Sequence, residues 1–119
     1  MRELDDLRLK DYVGHMLHSI LRIEDYVEEY SEVEFLNTPM LQDAVVRNIE
    51  VLGEAANQIM KRYSEFAITH SQVPWQAIYY MRNRIIHGYA SIDYERVWVV
   101  IDKDLPELKS QLQAIQASI

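Results

Sequence analysis

The sequence predicts an all-α protein built as an up-and-down four-helix bundle, and three observations carry that prediction. Apolar residues recur at spacings of three and four along most of the chain, the period of one helix face. No stretch alternates apolar and polar residues as a half-buried strand would. Only 3 Gly and 3 Pro occur in 119 residues, too few for a turn-rich β architecture. Hydrophobic residues make up 49%, and neither a repeat nor a linker interrupts the chain, so positions 1–119 read as a single helical domain able to bury its own core.

Helix one is expected over most of positions 3–31, with Leu9, Val13, Met16, Ile20, Ile23, Val27 and Tyr30 as its apolar stripe. Its other face collects Glu24, Asp25, Glu28 and Glu29 and continues to Glu32 and Glu34, which reads as a solvated acidic surface. "NTPM" then supplies a helix start, with Thr38 as N-cap and Pro39 at the first helical position, where its missing N–H costs nothing. Helix two runs from there to about Tyr63, on a stripe of Leu41, Val45, Ile49, Leu52, Ala56, Ile59 and Tyr63.

"SEFAITHSQVPW" has no sustained period and reads as a loop into helix three, from about Pro74 to His87. Gly88 is the expected terminator, since glycine accepts the left-handed C′ conformation. The last helix restarts with Ser91 or Asp93 as cap. Val97, Val100, Ile101, Leu105, Leu108, Leu112 and Ile115 form its stripe, and Pro106 is expected to kink or split it.

Composition narrows the function. The absence of cysteine excludes a disulfide framework, a thiolate nucleophile and Cys-based metal sites, and is compatible with a reducing cytoplasm. Acidic residues interrupt the start of the chain, and no apolar run approaches membrane-spanning length, so a cytoplasmic, unprocessed protein with no membrane partner is expected. The net charge of −7 would repel a polyanion, so any nucleic acid must bind at a local basic patch.

The densest polar chemistry lies in "RNRIIHGYAS", Arg82 to Ser91. At 100° per residue Ile78, Met81 and Ile85 form the core stripe of helix three, while Tyr80, Asn83 and His87 cluster nearly opposite. Arg82 and His87 lie roughly 140° apart on an ideal helix. A common site therefore needs either departure from helical geometry after His87 or a second copy of the chain across a two-fold axis. The groups suit cleavage of RNA by its own 2′-hydroxyl. An imidazole, with an ordinary pKa near 6.5, takes or gives the proton, and a guanidinium grips the phosphate as charge builds. That route needs no metal and spares DNA, which lacks the 2′-hydroxyl.

Arg82, Asn83 and His87 match the R-polar-x-x-x-H signature of HEPN-domain ribonucleases, and Tyr89 extends it to the R-x4-H-x-Y form of HepT-like toxins. "RNIEVLGEAANQI", with Gly53 to Ala55, resembles the second-helix segment of that family, and "DLPELKSQL" resembles its C-terminal end. The resemblance covers most of the chain. It implies a HEPN-like bundle and a homodimeric, metal-independent endoribonuclease toxin of a toxin–antitoxin pair. Arg82 would bind the scissile phosphate, His87 act as acid or base, and Asn83 position one of them or the substrate. It further implies an MNT-type nucleotidyltransferase antitoxin that uses ATP and Mg²⁺ to attach AMP to Tyr89. An anionic nucleotide beside the Arg/His cleft would repel RNA. The alternative is a catalytically silent HEPN subunit that binds a nucleotide or substrate for a partner nucleotidyltransferase.

Other polar residues have plainer readings beside functional ones. Glu54 lies one turn from Glu50 and two from Arg47 on a helix surface where those two pair, or else it orients Arg82, within one subunit or across the dimer. His15 and His18 lack a third ligand at metal spacing and read as flank or surface residues. Tyr79, Tyr80 and Trp75 suggest core or subunit interface, with Tyr80 assigned to the interface.

Overall fold

The apolar stripes become the inner faces of long helices that pack side by side. The computed structural model describes residues 2–87 and 91–119, with side chains at 8–86 and 91–119. In chain order the elements are α1 (Arg2–Val27), α2 (Glu32–Leu36), α3 (Pro39–Arg62), α4 (Ser64–Thr69), α5 (Trp75–His87), α6 (Tyr94–Val99), a π-helical turn (Val100–Asp104) and α7 (Leu105–Ser118). No strand occurs among the described residues, as expected. The 26 residues of α1 span about 39 Å at 1.5 Å each. That is most of the 47 Å long axis, so the long helices define the shape. α3 lies between α1 and α5, and α7 packs back on α1. Among the described residues, no helix is long and apolar enough to cross a membrane.

One continuous cluster fills the interior. Val13, Met16, Ile20 and Ile23 of α1 meet Val45, Ile49, Leu52 and Ile59 of α3, all fully buried, and Val97, Leu105, Leu108, Leu112 and Ile115 close the bundle from the C-terminal side. Burying a side chain of this size contributes about 1.5–3 kcal/mol, so these stripes are the main source of stability.

Three local expectations need correction, each for a physical reason. Helix one stops at Val27 rather than near 31, and Tyr30 is exposed instead of extending the stripe. Ser31 and Glu34 form a reciprocal capping box that starts a new helix: the Glu34 amide donates to Ser31 Oγ (3.2 Å), and the Ser31 amide donates to Glu34 Oε1 (2.9 Å). Fully buried Phe35 anchors the short helix that follows, and Glu32 and Glu34 sit in its first turn, where the helix dipole favours them.

Thr38 does not cap α3 with its side chain. Its hydroxyl donates instead to the Glu34 carbonyl, and Gln42 Nε2 donates to the carbonyls of Phe35 and Leu36 (both 3.1 Å), so both side chains serve the C-terminal end of α2. Pro39 does occupy the start of α3. The stretch expected to be a loop contains α4. It is held by Trp75, whose indole N–H is within 3.2 Å of the carbonyls of Ala67 and His70, and six residues are too few to display a period.

Pro106 leaves its mark upstream. The chain passes through the π turn, in which the Leu105 amide reaches back five residues to the Val100 carbonyl, before α7 begins with Pro106 in its first turn. A proline cannot donate to the carbonyl four residues earlier and its ring crowds that carbonyl, and the wider turn relieves both. Asp93, not Ser91, caps α6, its carboxylate accepting from the Arg96 amide at 3.1 Å. The terminator assigned to Gly88 lies outside the described residues.

Candidate active site

α3 and α5 approach closely at Gly53 and Arg82. A Cβ added to Gly53 would lie 2.2 Å from Cβ and 2.5 Å from Cγ of Arg82, so the absence of a side chain at Gly53 lets the Arg82 stem lie across α3. The stem is thereby packed, and the Arg82 side chain is only 18% exposed despite its charge.

Its guanidinium is held from two sides. Nη1 donates to Asn83 Oδ1 at 2.7 Å, and Nη2 lies 4.0 Å from Glu54 Oε2, an ion pair without a hydrogen bond. Nε is buried and has no hydrogen-bond partner. A buried donor left unpaired costs about 1–3 kcal/mol, while Nη2, 4.0 Å from Glu54, keeps donors that its neighbours do not use.

Glu54 follows Gly53 directly, so one turn of α3 supplies both the gap for the arginine stem and the carboxylate facing its head. A ladder along α3 orients that carboxylate: Gln58 Nε2 donates to Glu54 Oε1 and Arg62 Nε donates to Gln58 Oε1, each at 2.9 Å. Both sequence readings of this face therefore coexist. Arg47 and Glu50 pair at 3.8 Å on the exposed side, while Glu54 faces Arg82 within the same chain.

These groups border an open cleft of ≈ 310 Å³ lined by Arg82, Glu54, Glu50, Arg47, Tyr12 and His15. His15 is exposed, as a flank residue should be, yet it belongs to the cleft, and α1 contributes Tyr12 one turn earlier. The sequence reading missed these two and the packing role of Gly53. Of the three only Gly53 carried a signal: a glycine inside an otherwise strong helix pattern costs about 1 kcal/mol against alanine and so asks for a packing reason. The cleft is mixed in charge, two arginines against two glutamates, rather than the basic patch expected for nucleic acid on an acidic chain. Arg84 is exposed on α5 and is not among its lining residues.

His87 is the last residue of α5, and Tyr89 lies outside the described residues. Ile78 and Ile85 are buried, Met81 and Asn83 are half-buried, and Tyr80 is 55% exposed with its hydroxyl accepting from Gln76 Nε2 at 2.8 Å. Trp75 is core.

The sequence profile described as "Ribonuclease HepT-like" matches residues 16–115. The chain belongs to the HepT-like ribonuclease family. Among its relatives, a protein of Caldanaerobacter subterraneus subsp. tengcongensis provisionally named an RNase is 35% identical over 106 residues, covering 89% of this chain and 92% of that one. A probable ribonuclease HepT of Thermococcus cleftensis is 31% identical over 107 residues, covering 90% and 94%. A longer protein of Methanocaldococcus jannaschii, named a gamma-glutamylcyclotransferase and provisionally an RNase, is 34% identical over 111 residues, and the chain spans 49% of its length. No solved structure matches the chain significantly. Family membership and the names of the relatives support an RNase function for this HepT-like chain.

Removing the charge of Glu54 tests its part in the site. Glu54→Gln keeps the acceptor for Gln58 but loses the attraction to Arg82, which at this exposure is worth about 0.2–1 kcal/mol. Cleavage is expected to fall roughly 1.5- to 5-fold, with stability within about 0.5 kcal/mol of wild type. Wild-type activity in steady-state assays would remove Glu54 from the site.

Proposed function

We propose that the protein is a metal-independent endoribonuclease toxin whose active site is composite, formed at the two-fold interface of a homodimer from Arg82 and His87. The observation that carries this reading is the Arg82 guanidinium, packed over Gly53, aligned by Asn83 and Glu54, and keeping Nη2 donors that no neighbour uses, on the lining of a cleft in a chain of the HepT-like ribonuclease family.

Arg82 binds the scissile phosphate and stabilises its growing charge. His87 takes the proton from the 2′-hydroxyl or gives one to the leaving 5′-oxygen, and a second copy supplies the complementary group. The 2′-oxygen attacks phosphorus, the bond to the 5′-oxygen breaks, and the products are a 2′,3′-cyclic phosphate and a free 5′-hydroxyl. The partner in this account is an MNT-type nucleotidyltransferase antitoxin that consumes ATP with Mg²⁺ and silences the toxin by transferring AMP to Tyr89. The added negative charge opposes RNA phosphate.

Purified protein shown by mass to carry no nucleotide is expected to cleave a mixed RNA pool in excess EDTA. Cleavage that stops on chelation would refute metal independence. No cleavage with or without Mg²⁺ would favour a silent binding subunit.

A further inference from the structure

We propose that the cleft beside Arg82 is a subsite for one unstacked RNA base next to the scissile phosphate, with the exposed His15 ring, braced by Tyr12, as its stacking surface and Glu50 and Glu54 as acceptors for the amino edge of that base. The subsite rests on the ribonuclease reading above and adds to it a base preference.

That surface is suited to a nucleobase. Tyr12 and His15 meet edge to face with centroids 6.3 Å apart, and Tyr12 is braced from behind by Tyr63 at 6.4 Å. Tyr12 is half-buried and so held in place, whereas His15 is exposed and free to take a stacked group. Single-stranded RNA is read in this manner, by stacking splayed bases on tyrosine or histidine and bonding their edges. At ≈ 310 Å³ the cleft is at the lower limit of small-molecule sites, about 300–1,000 Å³, which suits one base and excludes a duplex.

The lining charges balance, Glu50 and Glu54 against Arg47 and Arg82, so the cleft offers a phosphate no net attraction; the neutral base goes in and the phosphate stays with Arg82, whose carboxylate partner is 4.0 Å away. Glu50 Oε2 lies 3.8 Å from Arg47 and Glu54 Oε2 lies 4.0 Å from Arg82, both beyond hydrogen-bond length, so these oxygens retain acceptor capacity. Carboxylates reward bases that offer N–H donors. Guanine, with adjacent N1–H and N2–H₂ donors, matches one carboxylate in a bidentate fashion and is favoured most. Uracil, with two carbonyls flanking a single N–H, is favoured least.

The test uses DNA oligonucleotides containing a single ribonucleotide, which fixes the scissile bond, with the base on either side of it varied in turn. On one side, wild-type kcat/KM is expected to favour guanine over uracil by roughly 5- to 150-fold, the discrimination of one good bidentate contact. His15→Ala and Glu50→Gln should each reduce that ratio. A wild-type ratio near unity at both positions overturns the subsite, as does a ratio that both variants leave unchanged. So does loss of self-association in both variants by light scattering, which would make the cleft a contact with a second copy. All-DNA versions measured for binding by fluorescence anisotropy separate the two proposals. A guanine preference that His15→Ala removes, without cleavage of the ribo form, sustains the subsite and rejects the ribonuclease. Cleavage without any base preference does the reverse.

Discussion

Replacing His87 with alanine is expected to lower the rate of RNA cleavage by about 10²–10⁴-fold, the contribution of a positioned acid–base group. His87 ends α5 and Arg82 lies five residues earlier on the same helix. With Arg82, the proposed phosphate ligand, left in place, binding of uncleavable RNA should change little while kcat falls. Single-turnover cleavage with a parallel thermal melt checks this. A His87→Ala protein that melts like wild type and cuts at the wild-type rate would exclude an acid–base role for this residue.

Gly53→Ala should be the most damaging change of a single methyl group. Elsewhere in a helix the exchange helps, because glycine is worse than alanine by about 0.5–1 kcal/mol. At Gly53 the new methyl would stand 2.2 Å from Arg82 Cβ, 2.5 Å from its Cγ and 3.3 Å from its Cδ. The first of these atoms is fixed to the α5 backbone, so the helices must part or Arg82 must swing away. Overpacking of this kind costs about 1–3 kcal/mol, part of which the helix propensity of alanine returns. Activity suffers more, since a displacement of about 1 Å at a catalytic group can cost about 10²-fold. Gly14→Ala is the matched control: its nearest neighbour would be Gln116 Nε2 at 3.8 Å, ordinary contact, so that variant should be neutral or slightly stabilised. Equal melting temperatures and rates for the two variants would contradict the packing account.

Much of the fold was legible because long helices repeat their pattern. The stripe from Val97 to Ile115 was read residue for residue and every member is buried, and α3 and α5 begin within one residue of where Pro39 and Pro74 indicated. Short elements were not legible, since α2 and α4 have five and six residues, too few turns to show a period. The Ser31-x-x-Glu34 capping box was present in the sequence, but Glu32 and Glu34 also continued an acidic face, and pattern alone favoured the longer helix.

For the candidate site, the sequence offered Arg82, Asn83 and Glu54 but not how they meet. Whether Glu54 faced Arg82 depended on how closely α3 and α5 approach, and that distance is set by the missing side chain of Gly53, a tertiary fact. Tyr12 and His15 were invisible as cleft residues for the same reason: α1 brings them beside α3 from far away in the chain.

If RNA is cut by its own 2′-hydroxyl with Arg82 and His87 assisting, one oligoribonucleotide and its copy carrying a single 2′-deoxy nucleotide at the mapped cleavage position will behave differently. Unmodified protein is expected to cut the first, leaving a 2′,3′-cyclic phosphate by mass spectrometry, and to leave the second intact at that position. Equal cleavage of both, or fragments ending in a 5′-phosphate from the first, would contradict that route.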